Sequence, residues 1–201
     1  MSSGKSSIYS WRSSDSDRNP ATNHYKGLVT FIADIRAARA RDLEEKRVNK
    51  ELANIRQKFK EPKLSSYDKK KYVSKLLYIY IMGYDLDFGH LEAVNLVSGN
   101  KFSEKQVGYL AITLFFHEEH ELLHLVVNSI RKDLMDSNEL NNCLALHAIA
   151  NIGGRSMGEA FGGEVHRLLI SPYVVRPLGD LGSLLTVTIV LRAPSCAKKL
   201  R

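Results

Sequence analysis

The sequence has too few cysteines for a disulfide-stapled domain and no apolar run long enough to cross a membrane. It contains two cysteines, Cys143 and Cys196, one tryptophan and five prolines among 201 residues. Two cysteines so far apart form neither a metal-binding pair nor a disulfide framework, so a reducing, intracellular compartment is expected. No run approaches the ~20 apolar residues that cross a bilayer, and the start of the chain lacks the apolar core of a signal peptide. We therefore expect a soluble protein whose membrane contacts are peripheral.

The positive charge of the chain is concentrated in one segment. The net charge is +7, but residues 26–75 hold fifteen Lys/Arg and seven Asp/Glu, so this segment carries +8 and the remainder about −1. Such an asymmetry is typical of proteins with an anionic partner, such as nucleic acid, a membrane surface or inositol phosphates. A solvated helical face explains the same charge run without any partner.

The spacing of apolar residues predicts helices along most of the chain. Val48, Leu52, Ile55 and Phe59 recur at i, i+4, i+7 and i+11 on a charged helix that Pro62 ends. Further helices are predicted over 69–82, through "HLEAVNLV", from the capping box "SEKQ" at 103–106 onward, and over 119–135, 140–152 and 156–169.

A weak internal repeat relates three of these helices. Val73–Ile79, Tyr109–Phe115 and Leu146–Ile152 are apolar stretches about 36–37 residues apart, and each is followed by a turn and a second amphipathic helix. This offset is close to the period of HEAT and armadillo repeats, in which stacked helix pairs share a continuous core. The predicted fold is therefore all-α, an α-solenoid of helix pairs.

Residues 120–124 read HELLH, the spacing with which zinc hydrolases present two histidine ligands and a general base. On the helix predicted over 119–135, His120 and His124 lie one turn apart beside the apolar face, and Arg131 shares their stripe. A catalytic zinc also needs a third protein ligand and an open position in a cleft, and nothing in the sequence brings another histidine there. We interpret the motif as accidental and expect no metal, no cofactor and no catalytic residue.

Five segments, taken in order, resemble the alpha-adaptin family, which supplies a large subunit of the endocytic clathrin adaptor, adaptor protein complex two. They are "KGLVTFIADIRAAR", "KRVNKELANIRQKFK", "YDKKKYVSKLLYIYIMGYDLDFGHLEAVNLVSGNKFSEKQVGYL", "NSIRKDL" and "NNCLALHAIANIGG". The likeness runs from Lys26 to about Pro172. "ELANIR", "KKKYV" and "DFGHLEAVNL" are more similar to the alpha subunit than to the gamma subunit of the Golgi-type adaptor.

The resemblance implies a scaffold rather than an enzyme. In this family the solenoid packs on a small sigma subunit beside the beta and mu subunits, in a complex that recruits clathrin and selects transmembrane cargo. It implies a cytoplasmic protein held peripherally at plasma-membrane coated pits, with phosphatidylinositol 4,5-bisphosphate bound near its N-terminus. The alternatives are a basic helical nucleic-acid-binding protein and, more remotely, a zinc hydrolase. Against the first, the long helix interleaves acids with bases and no RNA- or DNA-reading motif is present.

The lipid site is expected where lysines cluster. Lys69, Lys70 and Lys71 open a predicted helix, where unpaired N–H groups and the positive end of the helix dipole favour anions, and Lys75 follows Lys71 by one turn. Lys26 stands where an arginine is common in the family, so it keeps the charge but lacks the bidentate fork. Matched to the family residue by residue, the phosphoinositide-binding positions are Lys26, Lys58, Tyr67, Lys69, Lys70, Lys71, Tyr72 and Lys75.

A second site is implied by Arg36, in "ADIRAAR". It matches an arginine that in this family helps the sigma subunit to receive the acidic residue of dileucine cargo signals. The alternative is a surface arginine paired with a neighbouring carboxylate such as Asp34 or Glu45.

Two segments depart from the family pattern. Residues 1–24, rich in Ser, Asp and Asn, are predicted to be a disordered extension. Residues 173–201, with the β-branched run "LLTVTIVL", replace the helix with which the family continues. We attribute them to an unspliced intron followed by a shifted reading frame, with a natural short isoform as the alternative. The expected domains are the extension at 1–24, a truncated adaptin solenoid over 25–172 and an irregular tail over 173–201.

Overall fold

The described part of the chain is entirely helical. The computed structural model of the protein describes residues 26–170, with side chains from 27 to 168, and no strand occurs among them. The helices are α1 (Lys26–Ala37), α2 (Arg41–Phe59), α3 (Ser66–Ile81), α4 (His90–Val97), α5 (Phe102–Phe115), α6 (Leu123–Leu134), α7 (Glu139–Ile152) and α8 (Gly154–Ile170). The predictions for residues 1–24 and 173–201 fall outside the described residues and stay predictions.

The helices stack in two rows. In one row α5 packs against both α3 and α7, and in the other α6 packs against both α4 and α8. The rows are joined because α4 packs on α5 and α6 on α7. The three repeated segments predicted from the sequence lie in α3, α5 and α7, the equivalent helices of successive pairs. The all-α solenoid and its repeat are therefore confirmed.

Two groups of buried apolar side chains hold the stack together. The larger group runs from α2 to α8 without interruption. The smaller contains Phe31, Ile35, Val48 and Ile79 and fixes α1 on α2 and α3. Burying one such side chain contributes roughly 1.5–3 kcal/mol, so the position of α1 rests on a few large residues.

A buried polar network joins α5 to its neighbours. Lys105 Nζ donates to both carboxylate oxygens of Asp133 at 2.7 Å and to the carbonyl oxygen of Val97 at 3.1 Å. The hydroxyl of Tyr109 donates to the same carboxylate at 2.7 Å. Burial and this acceptor raise the pKa of Tyr109. Because each group has a partner, these charges fix the register of α4, α5 and α6.

The predicted starts of α3 and α5 differ from the structure. α3 begins at Ser66 rather than at 69, because the side chain of Ser65 accepts the N–H of Asp68 at 3.1 Å and caps the helix there. The capping box predicted at Ser103 is wrong. Ser103 lies inside the first turn of α5, and its hydroxyl accepts a hydrogen bond from Lys70. Among residues 26–170, no helix has the length and apolar character needed to cross a bilayer.

Candidate functional site

The candidate site lies at the start of α3. Ser65 closes the N-terminus of the helix, because its Oγ accepts the N–H of Asp68 at 3.1 Å and donates to Asp68 Oδ2 at 2.7 Å. Lys71 Nζ donates to Asp68 Oδ1 at 2.7 Å and stands 4.7 Å from the ring centre of Tyr72. Lys69 is half-buried, and none of the ion pairs within residues 26–170 involves it. Two lysines and one carboxylate thus share the first turns of α3.

The end of α2 adds a third cation to this surface. Lys58 Nζ donates to Glu61 Oε1 at 2.8 Å. The hydrogen bonds from Lys71 and Ser65, and the charges of Lys71 and Lys58, lower the pKa of Asp68. Phe59, next to Lys58, packs on Tyr72 of α3 with ring centres 6.1 Å apart, so the end of α2 lies beside the start of α3. The charge of Lys58 acts on Asp68 from there, while its own hydrogen bond goes to Glu61. We refer to Lys58, Lys69 and Lys71 as the lysine cluster.

The start of α1 approaches the lysine cluster from another side. A Cβ atom at Gly27 would lie 3.8 Å from Cδ of Lys71, so the first turn of α1 runs along the aliphatic part of that lysine. The side chain of Lys26 lies outside the described part of the chain, and its predicted role stays a prediction. Tyr67, half-buried, lies with its ring centre 5.9 Å from Lys71 Nζ.

The other predicted lipid-binding residues are buried. Lys70 is 8% exposed and donates to Ser103 Oγ at 3.4 Å, and Tyr72, also 8% exposed, packs edge-to-face on Phe59 with ring centres 6.1 Å apart. Lys75 Nζ donates to Glu51 Oε1 at 2.5 Å and is likewise 8% exposed. Its ammonium faces α2, not the surface beside Lys71 that the helical spacing suggested.

Glu51 is the centre of a clamp between the first three helices. Besides Lys75 of α3 it accepts from Arg47 Nη1 at 2.8 Å, and Arg47 in turn pairs with Asp34 of α1 at 3.1 Å. Burial alone would raise the pKa of Glu51, but the hydrogen bonds from Lys75 and Arg47 outweigh it and the pKa is lowered. This role of Glu51 was not predicted from the sequence, although its place on the apolar stripe of α2 is a signal for a paired, buried acid.

Arg36 lies at the far end of α1, where its side chain is exposed. Of the two carboxylates expected as alternative partners, Asp34 pairs with Arg47 at 3.1 Å, and Glu45 forms no ion pair within residues 26–170. None of the ion pairs found between residues 26 and 170 includes Arg36. Its guanidinium is thus open to a ligand from outside the described part of the chain.

The HELLH segment forms a turn at its start rather than a helix. α6 begins at Leu123, not at 119, so the helical arrangement predicted for His120 is wrong. His120 Nδ1 accepts the N–H of Leu122 at 3.2 Å, and its ring stacks on Phe116 with centres 4.1 Å apart. Burial, and then the neighbouring His90 and His117, lower the pKa of His120. The histidine is therefore a neutral acceptor that closes the turn.

Two further groups of this segment also have structural partners. His124 Nδ1 lies 2.5 Å from the carbonyl oxygen of Glu121. Glu118 Oε1 accepts the N–H of Arg155 at 2.6 Å in the first turn of α8. A Cβ at Gly154, where φ is +86°, would clash with the carboxyl group of Glu118. Within residues 26–170, no three histidine, cysteine or acidic side chains are arranged to hold a metal ion.

The similarity to known proteins extends over most of the helical region. The family model of the adaptin N terminal region matches residues 44–175. The chain is 57% identical over 151 residues to the AP-2 complex subunit alpha of Schizosaccharomyces pombe, which covers 75% of this chain and 17% of the relative. It is 47% identical over 154 residues to the AP-2 complex subunit alpha-2 of Dictyostelium discoideum, covering 76% and 16%. The AP-2 complex subunit alpha-1 of Arabidopsis thaliana is 49% identical over 147 residues, covering 73% and 14%.

These matches confirm the resemblance found in the sequence and extend over the solenoid that carries the lysine cluster. The chain spans less than a fifth of the length of these curated relatives. Because the matched segment runs from within α2 through α8, fold and sequence agree on one assignment. The chain belongs to the adaptin N-terminal family, and within it is similar to the alpha subunits of AP-2 complexes.

Proposed function

We propose that this chain acts as a non-catalytic subunit segment of a clathrin adaptor and binds phosphatidylinositol 4,5-bisphosphate through the lysine cluster. The observation that carries the proposal is the packing of the end of α2 on the start of α3, where Phe59 meets Tyr72 with ring centres 6.1 Å apart. It brings Lys58 to the surface where Lys69 lies near the start of α3 and Lys71 contacts Asp68 at 2.7 Å. An inositol bisphosphate headgroup carries several phosphate charges close together, so it needs cations that reach one point. Lys58 and Lys71, on two adjoining helix ends, suit that requirement, and Lys69 adds a third charge in the first turn of α3.

The burial of the neighbouring residues supports a shallow surface site. Lys70, Tyr72 and Lys75 support the helix that presents the cluster, because they pack on Ser103, Phe59 and Glu51. Each basic residue near an anionic membrane contributes roughly 1 kcal/mol. Three such residues give weak and reversible attachment, so stable recruitment requires contacts made by other subunits.

The partners proposed for the chain follow from its relatives, which are named as subunits of the AP-2 complex. We propose that the solenoid binds the sigma small subunit and lies beside the beta and mu subunits on the cytosolic face of coated pits, in endocytic transport. Arg36, exposed and outside the ion pairs of the described residues, is proposed to assist in receiving the acidic residue of dileucine cargo signals. Co-purification with a sigma-type subunit, and weaker capture of an acidic dileucine peptide by Arg36→Gln, test these two points.

The lipid proposal is tested by vesicle flotation. Lys69→Gln/Lys71→Gln removes two surface ammonium groups and leaves the buried Lys70 in place. We expect about 25-fold weaker binding to vesicles that contain the bisphosphorylated lipid, at roughly 1 kcal/mol for each charge. The matched control, Lys132→Gln/Arg167→Gln, removes two exposed cations from α6 and α8.

Each outcome of this comparison has a definite meaning. A selective loss in the α3 variant supports the lipid site. Equal binding by both variants and the wild type contradicts it. Lipid-independent behaviour together with tight, salt-sensitive binding of RNA would instead favour the nucleic-acid alternative, because counterion release makes such binding fall steeply with salt.

A further inference from the structure

The cations of the lysine cluster are partly neutralised by the chain itself. Lys58 pairs with Glu61 at 2.8 Å, and Lys71 pairs with Asp68 at 2.7 Å. Both pairs join residues three positions apart and both lie at the surface. A ligand that binds the cluster must therefore replace carboxylates that already occupy two of its three ammonium groups.

Asp68 is the better placed of the two carboxylates. It lies in the first turn of α3, where the helix dipole favours negative charge. The positive charges of Lys71 and Lys58 stabilise its ionised form as well. Its two oxygens accept from Lys71 and from the hydroxyl of Ser65. The same interactions lower its pKa, so the carboxylate is ionised at neutral pH. The chain thus holds its own anion where an external phosphate would be attracted.

We propose that Asp68 determines the specificity of the lipid site by excluding singly charged anions, so that the cluster responds to multiply phosphorylated headgroups. This inference rests on the proposed lipid-binding function. A lipid with one net charge, such as phosphatidylserine, gains little by displacing a carboxylate held at high effective concentration on the same helix. A headgroup with several phosphate charges contacts Lys58, Lys69 and Lys71 together. It displaces the partly exposed pair of Lys71 and Asp68 because ion pairs near the surface are individually weak.

The experiment compares two substitutions that change the net charge equally. Asp68→Asn removes the internal anion, whereas Glu159→Gln removes an exposed acid that pairs with Arg155 at 2.7 Å on the distant helix α8. Binding is measured on phosphatidylcholine vesicles that contain either phosphatidylserine or the bisphosphorylated inositol lipid, at equal surface charge. For Asp68→Asn we expect binding about fivefold tighter to phosphatidylserine vesicles, the effect of one charge near the membrane, and a smaller gain on the bisphosphorylated lipid. Glu159→Gln should change neither.

A second substitution guards against a loss of folding. Asp68→Ser also removes the charge and leaves a hydroxyl near Ser65, so the capped start of α3 has a substitute partner. Circular dichroism confirms that each variant keeps its helices. Agreement between Asn and Ser at position 68 assigns the gain to the missing charge rather than to a local rearrangement.

The outcomes separate this inference from the function on which it rests. If the wild type binds the bisphosphorylated lipid through Lys69 and Lys71, but both Asp68 variants behave like Glu159→Gln, the role of Asp68 is wrong and the lipid site stands. If neither the wild type nor the Asp68 variants bind, both proposals fail. If only the Asp68 variants bind, the lipid function of the natural chain fails, and Asp68 is supported as the residue that blocks it.

Discussion

Glu51→Gln is predicted to loosen the junction of the first three helices. Glu51 is 6% exposed and is the only residue in the clamp that contacts two cations, with Lys75 Nζ at 2.5 Å and Arg47 Nη1 at 2.8 Å. Through Arg47 and its ion pair with Asp34, the same carboxylate is linked to α1. Glutamine has nearly the same shape, so the change removes charge while leaving the surrounding packing in place.

The expected cost follows from what each cation loses. Breaking a buried ion pair costs about 3–5 kcal/mol, because the remaining charge is left without a partner in a poorly solvated position. Lys75 is 8% exposed and loses its carboxylate, whereas the side chain of Arg47 is 28% exposed and keeps Asp34. We therefore expect the lower end of the range, about 3 kcal/mol in the free energy of unfolding.

Urea denaturation followed by circular dichroism measures this loss, and a double-mutant cycle assigns it. Lys75→Met alone should also destabilise, because it leaves Glu51 buried beside only one cation. The double variant should lose clearly less than the sum of the two singles, with a coupling energy of at least about 1.5 kcal/mol. Additive losses, or a cost below about 0.5 kcal/mol for Glu51→Gln, would refute the clamp, since surface substitutions commonly stay within that limit.

Two further predictions concern the solenoid and its loop. Gly108→Ala should destabilise by about 1–3 kcal/mol, as overpacking commonly does, because its Cβ would lie 2.7 Å from the backbone nitrogen of Val97 in α4. In Gly163→Ala the added Cβ would meet no atom within 4 Å, so this variant should be neutral or stabilising in the same urea titration. Equal losses of stability in the two variants would contradict the close approach at Gly108. The lowered pKa of His120 means that the folded state favours the neutral ring, so its stability contribution is full above about pH 6.5 and is lost as the pH falls through the folded-state pKa. The urea midpoint of the wild type should therefore drop more between pH 7.5 and 5 than that of His120→Asn, and parallel curves would count against this role.

The stacked helices could be predicted because their signals are local and repeated. The repeat of apolar segments fixed which helices are equivalent, and the start of α4 at His90 agrees with the segment identified in the sequence. Helix ends were less predictable because they depend on single hydrogen bonds. Ser65 begins α3 three residues early, and the bond from Leu122 to His120 delays α6 until Leu123. A periodic pattern does not reveal which of several polar residues forms such a bond.

The lysines of the candidate site could be predicted, but their acidic partners could not. Three consecutive lysines at a helix start are visible in the sequence, whereas burial differs among them. Lys70 is buried, and Lys71 stays at the surface on Asp68. The pair between Lys75 and Glu51 joins residues 24 positions apart, a separation at which only the packing of α2 on α3 determines the contact. The lysines are therefore visible in the sequence, but fewer of them reach the surface than their spacing predicts.

Net charge alone gives a poor account of how this surface meets an anion. Residues 26–75 carry +8, yet four of their acids, namely Asp34, Glu51, Glu61 and Asp68, are held by particular cations of the same segment. If total charge governed membrane binding, neutralising Asp68 or the distant Glu159 would have the same effect. If the local pairing governs it, only Asp68 of these two residues matters, because Asp68 pairs with Lys71 of the lysine cluster, whereas Glu159 pairs with Arg155 on α8. The second view is favoured because salt screens interactions between solvent-exposed charges over about a Debye length, ~8 Å at physiological salt. A carboxylate on another helix therefore has little effect on an anion bound at the lysine cluster.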